Sequence, residues 1–263
     1  MAGAHTMNTS KLFDLAGRVA LVTGGSRGIG KAIARGFAEA GANVVIASRN
    51  GDELANAAAE IEQATGATIT PITTDMTRRA DVSALAEKAI GAFGHVDILL
   101  NNAGGNKPQP IDQVTDEVWD YFLELNLSSC MALTRALVPQ MKERRWGRII
   151  YTSSILGFTT AAGRSLYSST KSALLGLARA NAVDLGPFGI TANCLAPGPF
   201  ATELTAANFS QEARALFASR TALGRWGETR ELVGPALLLA SDAGSYITGT
   251  AIIVDGGTIV KTM

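Results

Sequence analysis

Short apolar runs alternate along the chain with longer stretches in which apolar residues recur with a helical period. The runs rich in β-branched residues predict strands at 19–23, 43–47, 68–73, 96–100, 148–152, 190–195 and near 251–254. The longer stretches predict helices at 31–40, 52–65, 80–93, 115–144, from about 167 to 185, and near 228–240. Continuously apolar strands that alternate with helices are typical of a parallel sheet covered on both faces. We therefore predict an α/β fold, a doubly wound, Rossmann-like parallel sheet of about seven strands.

The remaining segments set the expected domain organisation. Residues 1–10 are small and polar, which predicts a flexible N-terminal arm. Residues 201–220 follow a turn of Pro197, Gly198 and Pro199, and we expect a mobile segment there. Neither a low-complexity linker nor an internal repeat divides the rest of the chain. Residues 11–263 are accordingly predicted to form a single domain.

Composition narrows the classes of partner. Lys plus Arg and Asp plus Glu both number 23, so the formal net charge is zero and no bulk field attracts nucleic acid or an acidic membrane. No apolar run reaches the length of a membrane helix, and no secretory signal is evident. Cys130 and Cys194 lie in apolar contexts, which predicts buried thiols and a reducing, cytoplasmic location. The spacing of the two histidines predicts no metal site.

A glycine-rich turn follows the first predicted strand. Gly24, Gly28 and Gly30 have the spacing G-x-x-x-G-x-G and precede a helix, with Ser26, Arg27 and Ile29 between them. Glycines let a phosphate approach the backbone, and a helix N-terminus presents free N–H groups with a positive dipole end. Such turns also close ordinary βα units, but the position after the first strand favours dinucleotide binding.

The end of the second strand indicates which dinucleotide would bind. Ser48, Arg49 and Asn50 stand where an acidic residue usually takes the ribose hydroxyls of NAD. A guanidinium suits a 2′-phosphate, and Arg27 supplies a second one nearby. We therefore predict NADP(H) as the cofactor rather than NAD(H), unless both arginines are merely solvent-facing.

Further cofactor contacts are predicted at the ends of later strands, where ligands lie in such folds. Asp75, followed by Met76, either accepts hydrogen bonds from the adenine amine or caps the next helix. Asn101, Asn102, Ala103 and Gly104 end the fourth strand.

Tyr167 and Lys171 are the candidate catalytic pair. Residues four apart lie on one face of a helix, so the phenol and the ammonium can face the same space. A nearby cation lowers the pKa of a tyrosine, and a tuned tyrosine can exchange a proton with a substrate oxygen. The same Tyr-x-x-x-Lys spacing also occurs by chance on solvated helix faces.

Taken together, these motifs resemble the short-chain dehydrogenase/reductase family in its single-domain form, over 15–257. The TGGSRGIG turn, the NNAG segment, Asn126, Ser154, the YSSTK stretch and Pro197-Gly198 occur in the family's order. The resemblance implies that Tyr167 is the general acid/base and that Lys171 also holds the nicotinamide ribose. It further implies that Ser154, rather than the neighbouring Ser153, binds the substrate oxygen.

The resemblance implies three more features. Asn126 would hold a water that links Lys171 to solvent, and Pro197, Gly198 and Thr202 would flank the nicotinamide and its phosphates. Members of the family are commonly homotetramers that pair through the long helices and through the last helix and strand. The substrate pocket would be lined by the residues after Gly104, by 155–164 and by 201–220.

The substrate stays open at this stage. Gly105 to Pro108 is polar, Arg164 is a possible anion contact, and Phe158, Phe200 and Phe209 are apolar. This mixture suits a keto sugar acid, a 3-oxoacyl thioester or a small ketone. A non-catalytic nucleotide-binding (redox-sensing) protein is the alternative, although such a protein needs no tyrosine-centred proton path. A nucleotide-sugar epimerase or dehydratase would need a longer C-terminal domain.

Overall fold

The computed structural model describes residues 9–202 and 210–261. Its main sheet consists of seven parallel strands, which are β1 (Val19–Thr23), β2 (Asn43–Ser48), β3 (Ile69–Thr73), β4 (Ile98–Asn101), β5 (Gly147–Thr152), β6 (Ile190–Pro197) and β9 (Ala251–Val254). Their order across the sheet is β3-β2-β1-β4-β5-β6-β9. Two short strands, β7 (Phe200–Ala201) and β8 (Gly227–Glu228), pair separately. The predicted doubly wound sheet is confirmed.

Helices connect the strands and cover both faces of the sheet. They are α1 (Thr9–Leu12), α2 (Gly28–Glu39), α3 (Gly51–Thr65), α4 (Arg79–Phe93), α5 (Asp116–Leu123), α6 (Ser129–Arg144), α7 (Ser165–Leu185), α8 (Gln211–Ser219) and α9 (Val233–Ala240). Thr115 is the N-cap of α5, and its side-chain oxygen accepts a hydrogen bond from the Val118 N–H.

Two apolar cores lie on opposite faces of the sheet. Side chains alternate along a strand, so Leu21 of β1 faces one core while Val22 faces the other. The first core packs α4, α6 and α7 against the sheet, and the second packs α2, α3 and α9. Every residue of β1 is buried, which explains why this strand reads as one apolar run. Cys130 and Cys194 are free and buried as predicted, and burial raises the pKa of the Cys130 thiol to about 11.

The structure differs from the predicted elements at three places. The predicted helix over 115–144 is interrupted by a π-helical turn at Glu124–Ser128, between α5 and α6. The segment 201–220, which stays predicted to be mobile, includes 203–209, which lie outside the described residues, and then α8, whose N-terminus Ser210 caps by accepting a hydrogen bond from the Ala213 N–H. The predicted arm ends within α1.

The strand order fixes where a ligand can bind. The chain builds β1, β2 and β3 outward to one side and then returns to place β4 on the other side of β1. The loops that follow β1 and β4 therefore diverge at the carboxyl edge of the sheet, and such a divergence leaves the crevice in which ligands bind in open α/β sheets.

Candidate active site

The glycine turn after β1 approaches the end of β4 closely. Gly24 has a left-handed φ of +66°. A Cβ on Gly30 would lie 2.1 Å from the Gly24 carbonyl oxygen and 2.5 Å from Asn102 Nδ2. No side chain caps the N-terminus of α2, which begins at Gly28. The turn thus combines a bare backbone with uncapped helical N–H groups, and both features fit a pyrophosphate.

Asn102 and Thr23 hold this turn in place. Asn102 Nδ2 donates to the carbonyl oxygens of Thr23 and Gly24 at 3.0 and 3.3 Å. The backbone N–H groups of Asn102 and Ala103 both donate to Thr23 Oγ1, at 2.9 and 3.0 Å. The amide of Asn102 is therefore occupied by the protein itself, and its role is to join the glycine turn to β4. Sequence reasoning missed Thr23, whose small polar side chain at a strand end was the available signal.

The residues at the end of β2 use their side chains in two ways: Ser48 and Asn50 form local hydrogen bonds, whereas Arg49 reaches a distant residue. Asn50 caps α3 by accepting a hydrogen bond from the Glu53 N–H at 3.2 Å, and Ser48 Oγ donates to the Asn50 carbonyl at 3.3 Å. Arg49 is exposed, and its Nη1 donates to the hydroxyl of Tyr121 at 2.8 Å. Arg49 is therefore the member of this group whose charge faces outward.

The side chains within the glycine turn meet an acidic residue. Ser26 Oγ donates to Glu53 Oε1 at 3.1 Å, and Arg27 Nε lies 3.7 Å from the same oxygen. Arg27 is nevertheless 60% exposed at its side chain. Ile29 is partly buried and packs against the core beneath the turn. Arg27 thus shares its charge with a carboxylate of this chain, whereas Arg49 is bound to a neutral hydroxyl.

Asp75 does not cap the helix after it. Arg78 occupies the capping position of α4, and Asp75 instead accepts hydrogen bonds from the Thr77 N–H and hydroxyl at 2.9 and 2.8 Å. Partial burial acts to raise the pKa of Asp75, but the Thr77 hydrogen bonds and the charges of Arg49 and Arg78 outweigh it and lower the pKa. Met76 is buried beside it.

Lys171 and Tyr167 lie on α7 as the spacing predicted. The Lys171 side chain is buried, and its ammonium donates to the Thr152 carbonyl at 2.7 Å. The same Nζ lies 5.5 Å from the centroid of the half-buried Tyr167 ring. A buried ammonium beside a phenol can stabilise negative charge that develops on the phenol oxygen.

The two adjacent serines after β5 have different tasks. Ser153 is buried, and its hydroxyl donates to the Lys171 carbonyl at 2.8 Å, which attaches the end of β5 to α7. Ser154 Oγ accepts a hydrogen bond from the Leu156 N–H at 3.1 Å, so its own proton is left to donate. The geometry thus separates a structural Ser153 from a Ser154 that can bind a ligand oxygen.

Asn126 lies inside the π-helical turn, and its side chain contacts the loop after β4. Its Oδ1 accepts from the Gly105 N–H at 2.9 Å, while its Nδ2 donates to the Gly105 carbonyl at 3.0 Å and to Thr170 Oγ1 at 3.3 Å. A Cβ on Gly104 would lie 3.1 Å from Asn126 Oδ1 and 3.5 Å from Lys171 Nζ. Asn126 and Lys171 therefore border the same space, which glycine keeps open. π-Turns are frequent at functional sites.

The end of β6 closes the crevice on its far side. Gly198 packs against Asp255, because a Cβ on this glycine would lie 2.6 Å from the Asp255 Cβ. Its N–H donates to the Val254 carbonyl at 2.9 Å, which ties the Pro197-Gly198 segment to β9. Thr202 follows and is half-buried.

Two of the three segments that were predicted to line the substrate pocket are joined by a hydrogen bond, and part of the third, 203–209, lies outside the described residues. The Gln109 N–H donates to the Gly163 carbonyl at 3.1 Å and links the loop after β4 to the loop before α7. Phe158 is 46% exposed on the second loop. Phe200 is 5% exposed and packs in the core against Gly227, so the expectation that it lines the pocket is wrong. Phe209 lies outside the described residues.

The described residues offer neither a metal-binding cluster nor a membrane-spanning helix. Across 9–202 and 210–261, no cluster of three His, Cys, Asp or Glu side chains could hold a metal ion. Within the same ranges, none of the helices combines the length and the apolar character that crossing a membrane requires.

Comparison with known proteins identifies the family. The short chain dehydrogenase family model matches residues 18–213. L-rhamnose 1-dehydrogenase (NADP(+)) of Thermoplasma acidophilum is 36% identical, covering 95% of this chain and 99% of that protein. The 3-oxoacyl-(acyl-carrier-protein) reductase of Escherichia coli is 37% identical, covering 92% and 97%. The crystal structure of a gluconate 5-dehydrogenase from Burkholderia cenocepacia, in complex with NADP and tartrate, has a TM-score of 0.91 at 35% identity, covering 97% and 100%.

The fold, the glycine turn and the comparisons agree. The chain belongs to the short-chain dehydrogenase family. It is accordingly an oxidoreductase that uses a nicotinamide cofactor on carbonyl or alcohol groups.

Proposed function

We propose that this protein is an NADP(H)-dependent oxidoreductase that interconverts a carbonyl and a secondary alcohol, with Tyr167 as general acid/base. One observation carries the proposal. The buried Lys171 ammonium donates to the Thr152 carbonyl at 2.7 Å and lies 5.5 Å from the centroid of the Tyr167 ring, at the carboxyl edge of the sheet. A protein that only binds a nucleotide has no use for a buried cation near a phenol.

The proposed residues divide the work of the reaction. The bound nicotinamide cofactor supplies or accepts the hydride. In the reductive direction, Tyr167 donates its phenolic proton to the carbonyl oxygen, and the charge of Lys171 stabilises the phenolate that remains. Ser154 donates its free hydroxyl proton to the same substrate oxygen and stabilises the charge that develops there. Lys171 would also contact the nicotinamide ribose.

Asn126 completes the proposed proton path. Both hydrogens of its Nδ2 are engaged by Gly105 and Thr170, whereas Oδ1 accepts a single described hydrogen bond and keeps a second lone pair. A water in the space beside Gly104 would be within reach of this oxygen and of Lys171. The phenolate of Tyr167 could then be reprotonated from solvent through Lys171.

NADP(H) is proposed rather than NAD(H) because of the charge at the end of β2. Residues 48–50 include no carboxylate, and Arg49 presents its charge there. A 2′-phosphate next to this guanidinium gains a charge-assisted hydrogen bond, whereas the 2′-hydroxyl of NAD(H) gains much less. The similarity to the NADP(+)-dependent L-rhamnose 1-dehydrogenase of Thermoplasma and to the NADP complex of the Burkholderia dehydrogenase supports this choice. The contacts would come from the glycine turn, from 48–50, from Asp75 and Met76, from 102–104 and from Pro197, Gly198 and Thr202.

The substrate is proposed to be a keto sugar acid or a 3-oxoacyl thioester. The joined loops carry Lys107 and Arg164, and residues 104–111 and 153–171 contain no carboxylate. Positive charge of this kind favours an anionic substrate. The gluconate dehydrogenase and acyl-carrier-protein reductase relatives represent these two classes.

The direct test is oxidation of NADPH with a panel of carbonyl compounds. The panel contains 5-keto-gluconate, L-sorbose as its neutral counterpart, and an acetoacetyl thioester. We expect turnover with at least one anionic member, and a loss of about 10²- to 10⁴-fold in Tyr167→Phe with NADPH affinity nearly unchanged. Near-normal turnover in Tyr167→Phe would refute the acid/base role.

The proposal extends to assembly and location. Val183 on α7 and Ile253 on β9 are 78% and 38% exposed, which is consistent with homotetramer contacts through the helices and the last strand. The two free thiols suit a reducing cytoplasm. Light scattering during size-exclusion chromatography would measure the assembly directly.

A further inference from the structure

The contact between Arg49 and Tyr121 links two regions that the chain separates by 72 positions. Arg49 follows β2, whereas Tyr121 lies on α5. A guanidinium can only donate, so the phenolic oxygen must be the acceptor in this 2.8 Å contact. The hydroxyl proton of Tyr121 is then left to donate to another group.

The position of Tyr121 is fixed by its neighbours on the same helix. The ring of Phe122 packs edge-on against that of Tyr121, with 5.1 Å between the centroids, and it also contacts Gly105. One turn further, Glu124 forms a two-pronged ion pair with Arg79 of α4. Tyr121 is 38% exposed but its ring is positioned by Phe122, while Arg49 is a long side chain that loses rotamer freedom when it binds a ligand.

The charge around Arg49 leaves it suited to an anion. In the part of the chain that the structure describes, Arg49 forms no ion pair with a carboxylate. Asp75 is close enough for the charge of Arg49 to contribute to lowering its pKa, but it uses its hydrogen bonds on Thr77. The neutral hydroxyl of Tyr121 orients the guanidinium without neutralising it.

We propose that Tyr121 is a specificity-determining residue for the 2′-phosphate. This proposal rests on the proposed use of NADP(H). Tyr121 holds Arg49 in the orientation that receives the phosphate, and its own free O–H donates a second hydrogen bond to a phosphate oxygen. Because Tyr121 already orients the Arg49 side chain before the cofactor binds, Arg49 loses less conformational entropy when NADP(H) binds. NADH lacks the phosphate and gains nothing from this arrangement.

Calorimetric titration of the whole protein with NADPH and with NADH tests the proposal. Tyr121→Phe keeps the ring but removes the hydroxyl. We expect the NADPH dissociation constant to rise by roughly two- to tenfold while the NADH constant and the melting temperature stay unchanged. Tyr246→Phe is the matched control, because Tyr246 is fully exposed and should change neither constant.

A double-mutant cycle separates this inference from the broader assignment. Arg49→Gln should weaken NADPH more than Tyr121→Phe does, and Tyr121→Phe added to Arg49→Gln should have a smaller effect than it has alone. An unchanged NADPH constant in Tyr121→Phe, or equal losses for NADPH and NADH, would overturn the role of Tyr121. An unchanged preference in Arg49→Gln would instead contradict the proposed cofactor.

Discussion

The two edges of the main sheet treat charged side chains in opposite ways. At the amino edge, the fully buried Asp97 carboxylate accepts from the Val19 N–H at 3.0 Å and from Arg144 Nη2 at 3.1 Å. His95 Nε2 and Arg18 Nη1 approach the same carboxylate at 3.0 and 3.7 Å. At this edge the buried carboxylate is therefore paired with the guanidinium groups of Arg144 and Arg18.

Arg148 extends this arrangement along the amino edge. Its guanidinium donates to the carbonyl oxygens of Gly147, Gly189 and Ser241 and lies 3.5 Å from Asp242 Oδ1. Burial lowers the pKa of Arg148 to about 10, although the Asp242 charge opposes this shift. The hydrogen bonds and the ion pair of Arg148 therefore stabilise the fold.

At the carboxyl edge, Arg27 lies 3.7 Å from the Glu53 carboxylate, but Lys171 and Arg49 contact neutral groups instead. Lys171 donates to the Thr152 carbonyl, and Arg49 donates to the Tyr121 hydroxyl. A neutral partner orients a cation but leaves its charge available to a ligand. Lys171 and Arg49 therefore differ from Arg144 and Arg18, whose charges are paired with the Asp97 carboxylate.

The largest effect is expected from removing charge at the binding edge. Lys171→Ala should reduce kcat/KM by several hundredfold or more, since charge stabilisation of the phenolate is lost, and it should also weaken NADPH binding. Lys171→Met keeps most of the apolar side chain and is the matched variant. If both variants keep normal turnover and affinity while remaining folded, the double role of Lys171 is wrong.

The reverse pattern is expected at the structural edge. Asp97→Ala leaves Arg144, Arg18 and His95 without their common partner and leaves the Val19 N–H without its acceptor. Because the basic side chains are partly exposed and regain water, we expect a loss of about 1–3 kcal/mol. Denaturant titration should show this loss in the free energy of unfolding, while NADPH affinity per folded molecule stays unchanged. A selective loss of affinity with full stability would contradict the division between the edges.

The adjacent Ser153 and Ser154 allow a structural and a proposed catalytic hydroxyl to be compared within one loop. Ser154→Ala should lower kcat by about 10²-fold, because a donor to the reacting oxygen is lost. Ser153→Ala removes the hydrogen bond to the Lys171 carbonyl and should cost about 1 kcal/mol of stability with a smaller change in kcat. Steady-state kinetics and thermal unfolding of both variants give the comparison. The assignment fails if Ser153→Ala has the larger kinetic effect.

Reversal of charge at the end of β2 should have a moderate effect. Arg49→Asp places a carboxylate where a 2′-phosphate would bind and should move the NADPH-to-NADH affinity ratio by about 10- to 100-fold toward NADH. Arg35→Asp, on the exposed face of α2, controls for the change in net charge. An unaltered ratio would make Arg49 a bystander.

A small effect is expected at alkaline pH. Burial raises the pKa of Cys130 to about 11 above its ordinary value of 9.0, so the folded state keeps a proton that the unfolded state releases. This contribution to stability is complete below pH 9.0 and is lost as the pH rises toward 11. Cys130→Ala should therefore show a shallower loss of stability than the parent protein over that range. An identical slope would contradict the raised pKa.

The strands and helices could be predicted from the sequence because the burial of a segment determines its local pattern of apolar residues. The strands end within two residues of their predicted bounds, since parallel strands covered on both faces are continuously apolar. Tyr167 and Lys171 were predictable for a similar reason, as a four-residue spacing on a helix fixes their common face.

The missed features depend on contacts between distant segments. The ELNLS stretch of the π-helical turn continues an ordinary helical pattern, and its deviation is evident only where Asn126 contacts Gly105. The Arg49–Tyr121 contact likewise joins residues whose proximity no local pattern encodes. Phe200 was counted among the apolar residues near the substrate segments, but its ring is buried against Gly227.

Calorimetric titration of the unmodified protein with NADPH and with NADH measures whether the carboxyl edge is a cationic site for a phosphorylated dinucleotide. We predict that NADPH binds at least tenfold more tightly than NADH, which corresponds to about 1.4 kcal/mol. Equal or tighter binding of NADH would contradict the role given to Arg49, and binding of neither dinucleotide would contradict the nucleotide site itself.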